Sequence, residues 1–189
     1  IARAIGVLYK LRPFVTTKIL VNVYNAIVYP FLLYGIEVWG NAGVTLLSPL
    51  FILQKKFVRM ATFRDRQQIF PIPLLAHSKQ LFKSLDILTV HDIYKLQLGL
   101  IVYKTINKIG PSQNFLKFKF AQNIHDYNTR FAERFNLYRE YSRTSRYGLR
   151  RVTNEGAKLW NEINQDIRTK NNYFLFKKTY KLFLLSEYI

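Results

Sequence analysis

The sequence predicts a mainly α fold: a helical bundle, then a basic segment open to a small β-hairpin, then two closing helices. Three observations predict it. Apolar residues recur at three- and four-residue steps in several long stretches, the spacing that lines one face of a helix. Apolar residues make up 49% of the 189 and aromatics 16%, enough surface to offset the ordering entropy that keeps most basic tails unfolded. Finally, Gly40-Asn41-Ala42-Gly43, Phe70-Pro71-Ile72-Pro73 and Gly110-Pro111-Ser112 interrupt the pattern where helices should stop. The length suits one domain or two small ones.

In chain order, Ile1-Ala2-Arg3-Ala4-Ile5-Gly6-Val7-Leu8 has no capping residue or polar lead-in and reads as entry in mid-helix, as expected of a piece of something longer. It lacks the frame of a signal peptide. Residues 19–39 are apolar enough to raise a membrane span, but Asn22, Asn25, Pro30 and Glu37 favour a buried soluble helix. Leu20, Val23, Ile27, Phe31 and Tyr34 would form its apolar stripe, Asn22, Asn25 and Tyr29 its polar side, and Pro30 should kink or end it.

Ser48-Pro49 reads as a cap with proline at the first helical position, opening a helix to about residue 63. Leu50, Leu53, Phe57 and Met60 are its apolar stripe; Lys55, Lys56 and Arg59 lie outside, with Arg64 and Arg66 at its end. A short helix should cover 74–85. Thr89-Val90-His91-Asp92 then has capping-box spacing before Ile93, Leu96, Leu100 and Tyr103, in a helix apolar on most sides and so expected at the centre. From 123 to 153 the chain is rich in arginine and tyrosine. Arg139, Arg143, Arg146 and Arg150 would share a helical face, yet Leu137, Arg139, Tyr141 and Arg143 also alternate as a strand would. Two helices, 154–166 and 172–186, close the chain, the second with Tyr173, Phe176, Tyr180 and Phe183 inward and Lys177, Lys178 and Lys181 outward.

The chemistry is bounded by what is missing from the sequence. With no cysteine, thiolate zinc sites, disulfides and cysteine nucleophiles are excluded. No glycine-rich phosphate loop occurs. His77, His91 and His125 lie too far apart in sequence for a local metal motif, and Asp and Glu number 11 with no Asp-Asp or Asp-x-Asp, so no metal or catalytic residue is assigned. What remains is a net charge of +18, from 29 Lys and Arg, interleaved with aromatics. Cations neutralise phosphates and release counterions, while Arg planes and Tyr rings stack on bases. The expected nucleic-acid contacts are Lys55, Lys56, Arg59, Arg64 and Arg66, then Arg130, Arg139, Arg143, Arg146, Arg150 and Arg151. Trp39 and Trp160 read as core anchors.

Several strings then carry a resemblance. Ala4-Ile5-Gly6-Val7-Leu8-Tyr9-Lys10-Leu11-Arg12, Tyr34-Gly35-Ile36-Glu37-Val38-Trp39-Gly40-Asn41 and Leu53-Gln54-Lys55-Lys56 are followed by Leu85-Asp86-Ile87-Leu88 with Asp92-Ile93-Tyr94-Lys95-Leu96-Gln97. His125-Asp126-Tyr127-Asn128-Thr129-Arg130, Arg143-Thr144 with Gly148, and Gly156-Ala157-Lys158-Leu159-Trp160-Asn161 complete the set. In order and spacing the chain resembles the region after the palm in LINE-type (non-LTR) retrotransposon reverse transcriptases. The resemblance implies a thumb-like helical region at 1–109, a connector at 110–122 and a carboxyl-terminal nucleic-acid-binding extension at 123–189. It implies partners as well: an RNA template, a DNA primer or target, and a polymerase palm upstream in the same polypeptide that carries the catalytic aspartates and Mg²⁺. This piece would then hold no cofactor and catalyse nothing alone. No membrane partner is expected; the implied location is intracellular, in nucleus and cytoplasm as a ribonucleoprotein. The runner-up expectation is a stand-alone, non-enzymatic RNA- or DNA-binding module.

Overall fold

The structure, a computed structural model, describes residues 1–63, 78–111, 116–124, 129–133, 135–144 and 148–188. It is mainly helical, and no strand occurs among the described residues. The chain divides into two compact units, residues 1–93 with 183–189 and residues 94–182.

The first unit begins with α1 (Ala2–Leu11), α2 (Thr17–Ile27), α3 (Tyr29–Leu33) and α4 (Ile36–Trp39). Pro30 sits in the first turn of α3, where its missing N–H costs nothing, and the expected break falls at Val28. The buried face differs from the expected one. Leu20, Tyr24, Val28, Leu32 and Ile36 are buried, one every four residues, whereas Ile27, Phe31 and Tyr34 of the expected stripe are exposed. Gly35 turns the chain in a left-handed conformation (φ 62°) that a glycine adopts without strain, and the Trp39 indole donates to the Tyr34 carbonyl at 2.7 Å. Trp39 is only half-buried, unlike Trp160. No described helix is long and apolar enough to cross a membrane.

Next comes α5 (Val44–Ala61), which starts before Ser48-Pro49 with Gly43 as its cap residue, so Pro49 lies inside the helix. The expected start was wrong because the turn ahead of the proline also winds into helix, burying Leu47. Along α5 Phe57 stacks on Tyr24 with ring centroids 4.3 Å apart. The buried amide of Gln54 ties three segments together. Its Nε2 donates to the Tyr24 hydroxyl at 3.0 Å and the Leu88 carbonyl at 3.2 Å, and its Oε1 accepts from the Val90 N–H at 2.7 Å. That last bond satisfies one of the orphan donors that open the long helix.

After α6 (Ser78–Ser84) that helix, α7 (Val90–Ile106), starts at the expected cap: the Asp92 N–H donates to Thr89 Oγ1 at 3.3 Å and the Thr89 hydroxyl donates to the Asp92 carboxylate at 2.6 Å. The reciprocal half of the box is relayed. The Thr89 N–H donates to the Tyr188 hydroxyl, which donates to Asp92, so the chain's last segment closes the cap. Every residue from 91 to 106 is buried or half-buried, as its apolar sequence predicts.

The second unit is built on the later turns of α7. Beyond the short α8 (Arg130–Glu133), the closing region forms α9 (Val152–Glu162), α10 (Gln165–Arg168) and α11 (Tyr173–Ser186), where two helices were expected; Ile163 takes extended backbone and ends α9. Phe176 of α11 stacks on Tyr103 at 4.4 Å and tilts against Trp160 and Tyr180. Gly99 and Gly156 are where helices approach closely: a Cβ on Gly99 would meet the Tyr180 ring at 2.7 Å, and one on Gly156 would meet Val102 at 2.9 Å. Phe176, Tyr180 and Leu184 are buried, Tyr173 and Phe183 half-buried, and Lys177 and Lys178 exposed.

Candidate nucleic-acid interface

Among the described residues the arginine-rich segment forms neither one continuous helix nor a hairpin. Residues 135–144 are irregular apart from one bridge. Leu137 forms a single antiparallel bridge to Phe120, with the Ala121 N–H donating to the Asn136 carbonyl at 2.9 Å and the Tyr138 N–H to the Lys119 carbonyl at 2.8 Å. Among the described residues no hairpin forms, and the bridge joins the segment to the connector.

A chain in this conformation needs partners for its remaining backbone groups. Two asparagines on α9 supply them. Asn161 Oδ1 accepts from the Leu137 N–H at 2.8 Å and its Nδ2 donates to the Leu137 carbonyl at 2.9 Å, doing for one residue what a neighbouring strand would do. Two helical turns earlier, Asn154 Oδ1 accepts from the Glu140 N–H at 3.1 Å and its Nδ2 donates to the Gly148 carbonyl at 2.9 Å. Residues seven apart share a helix face, so one side of α9 holds the segment at Leu137, Glu140 and Gly148. Gly148 fits there because it has no side chain; a Cβ would fall 2.4 Å from that of Ser142. Asn136 is held as well, its Oδ1 accepting from the Arg168 guanidinium at 2.9 Å.

Leu137 is fully buried, but beyond it the two-residue alternation that would turn Arg139, Tyr141 and Arg143 inward with it does not hold. All three are exposed, Tyr141 at 85%. Arg130, Arg150 and Arg151 are exposed too, Arg151 lying 3.8 Å from Glu140 in an open ion pair that water screens. The connector contributes two cations that the sequence reading passed over, Lys117 and Lys119, both exposed and lining a small hollow with Tyr138, Glu140 and Asn154. The signal was the alternation Lys117-Phe118-Lys119-Phe120, which faces cations one way and rings the other.

In the first unit Lys56 and Arg59 are exposed on α5, while Lys55 is half-buried with Nζ 4.2 Å above the Phe51 ring. The helical spacing places these three cations together, whereas the arginines of 130–151 belong to the second unit. Arg64, Arg66 and Arg146 lie outside the described residues, as do His77 and His125; His91 meets the Phe51 ring edge-on at 5.7 Å. Among the described residues no group of three or more His, Asp or Glu could hold a metal ion.

Buried phenols are the clearest titration feature. Burial raises Tyr24 to about 12, partly opposed by the Gln54 bond and reinforced by Tyr29. Tyr188 is pushed well above the usual phenol range by burial and then by the Asp92 carboxylate beside it. These groups sit in the interior of the first unit and serve structure. Compared with protein-family models, curated proteins and solved structures, the chain finds no match.

Proposed function

We propose that the chain is the thumb and carboxyl-terminal region of a LINE-type (non-LTR) retrotransposon reverse transcriptase, an RNA-directed DNA polymerase. In that role it holds the RNA template and the DNA primer against the upstream palm during target-primed reverse transcription. The palm would supply the aspartates and Mg²⁺; these residues would supply grip.

The observation that carries the reading is the pinned segment on α9. Arg139, Tyr141 and Arg143 are exposed on a segment whose backbone is held at Leu137 by Asn161 and at Glu140 by Asn154, so cations and a ring are displayed from an anchored backbone. Such a row suits a duplex read by shape and backbone, as an A-form-like hybrid must be, because its deep, narrow major groove hides the base edges. The resemblance strings support it too. Gly148 and Asn161 come from them and hold this display, while Gln54 and Asp92 come from them and build the first unit.

The test is fluorescence anisotropy with a recessed RNA–DNA hybrid, the matching DNA duplex and the single RNA strand. The hybrid is expected to bind most tightly. No binding to any of them at low salt would overturn the proposal.

A further inference from the structure

The second unit also contains a pocket of about 190 Å³, walled by the rings of Phe120, Phe135 and Trp160 and edged by Asn107, Gln165 and Arg168. Its polar groups are held in place: the Asn107 Nδ2 donates to the Tyr103 carbonyl at 2.9 Å, and the Arg168 guanidinium to Asn136 at 2.9 Å. Phe135 is the unusual member. Its backbone is left-handed (φ 53°), where a bulky side chain is strained and Gly or Asn is preferred, and its ring is 57% exposed. Neither burial nor backbone preference accounts for a phenylalanine there, but a ligand surface does.

We infer that this pocket takes one unstacked nucleobase of a single-stranded nucleic acid, deepening the nucleic-acid reading above, on which it rests. The volume is below the roughly 300 Å³ at which pockets for drug-sized ligands begin, so the occupant is a single small ring system. Three aromatic walls select a flat one. Two amides and a guanidinium at the rim match the donors and acceptors on a base edge, the mode by which single strands are commonly read. The surrounding unit carries 18 Lys and Arg against 6 Asp and Glu, which suits a ligand tethered to an anionic backbone.

The experiment titrates the 189-residue chain with two labelled DNA 12-mers of equal length and charge, one of deoxyadenosine and one lacking every base. The intact strand is expected to bind about tenfold more tightly, the scale of one base–aromatic stack. Phe135→Gly removes the ring while relieving the backbone, so it should fold with unchanged helical circular dichroism. It should lose the preference for bases and keep its affinity for the baseless strand; Phe135→Tyr should retain the preference. Equal binding of the two strands by the parent chain, or an undiminished preference in Phe135→Gly, overturns the pocket assignment and leaves backbone binding standing. Failure of both strands to bind at low salt overturns the pocket assignment, and the nucleic-acid reading falls with it only if the hybrid, the DNA duplex and the RNA strand also fail to bind.

Discussion

The two units solve the same problem, satisfying polar groups away from water, in opposite ways. In residues 1–93 with 183–189, Gln54, Asp92 and Tyr188 are buried and make their hydrogen bonds in the interior, joining α2, α5, the start of α7 and the chain's end. In residues 94–182, Asn154 and Asn161 reach from a regular helix to an irregular segment and hold it at the surface. The surfaces differ in charge: both units expose large apolar side chains, Val38 in the first and Tyr141 in the second each at 85%, but the second holds 18 of the 29 Lys and Arg. Interior bonds make a scaffold; surface bonds make a display.

Breaking the scaffold should cost most. Gln54→Leu leaves the Tyr24 hydroxyl, the Leu88 carbonyl and the Val90 N–H without their partner, and is expected to lower stability by roughly 3–5 kcal/mol in urea denaturation. A loss below about 1 kcal/mol would mean that water or neighbours replace the amide. Alkaline pH should come next. Tyr24 keeps its proton in the fold up to about 12, while the unfolded chain releases it near 10. Its contribution is therefore whole below pH 10 and disappears as pH climbs towards 12, a fall of up to about 2–3 kcal/mol. Tyr24→Phe should flatten that part of the stability profile.

Disturbing the display should cost less stability and more function. Asn161→Ala removes both bonds to Leu137, which are only partly buried, and is expected to cost about 1–2 kcal/mol. Hydrogen exchange at the Leu137 amide should speed up, and affinity for an RNA–DNA hybrid should fall because the backbone that carries the arginines loses its anchor. Unchanged exchange at that amide would show that the bridge to Phe120 holds the segment unaided.

The scaffold was largely legible and the display was not. Residues 90–106 and 173–186 announce themselves because every turn repeats the helical period. In 19–39 that period misled, since Tyr24 is a core residue whose hydroxyl is satisfied only by Gln54, thirty positions away. Pro49 misled because a proline after serine resembles a helix start even where packing of Leu47 carries the helix past it. For 135–144 neither period applied. Its backbone is paired by side chains 14 and 24 residues downstream, and no local pattern encodes a distant asparagine. The cations there were identifiable by composition; their exposure was not, because a two-residue period would have turned Arg139, Tyr141 and Arg143 inward with Leu137.

The central claim is that the second unit's arginines meet phosphates. It is tested most directly by the salt dependence of hybrid binding. Replacing Arg139, Arg143 and Arg150 together by Gln should reduce the slope of log K against log salt by about two to three, since each phosphate contact contributes roughly 0.7–0.9. An unchanged slope in the arginine variant, with its helix content intact, would contradict the account.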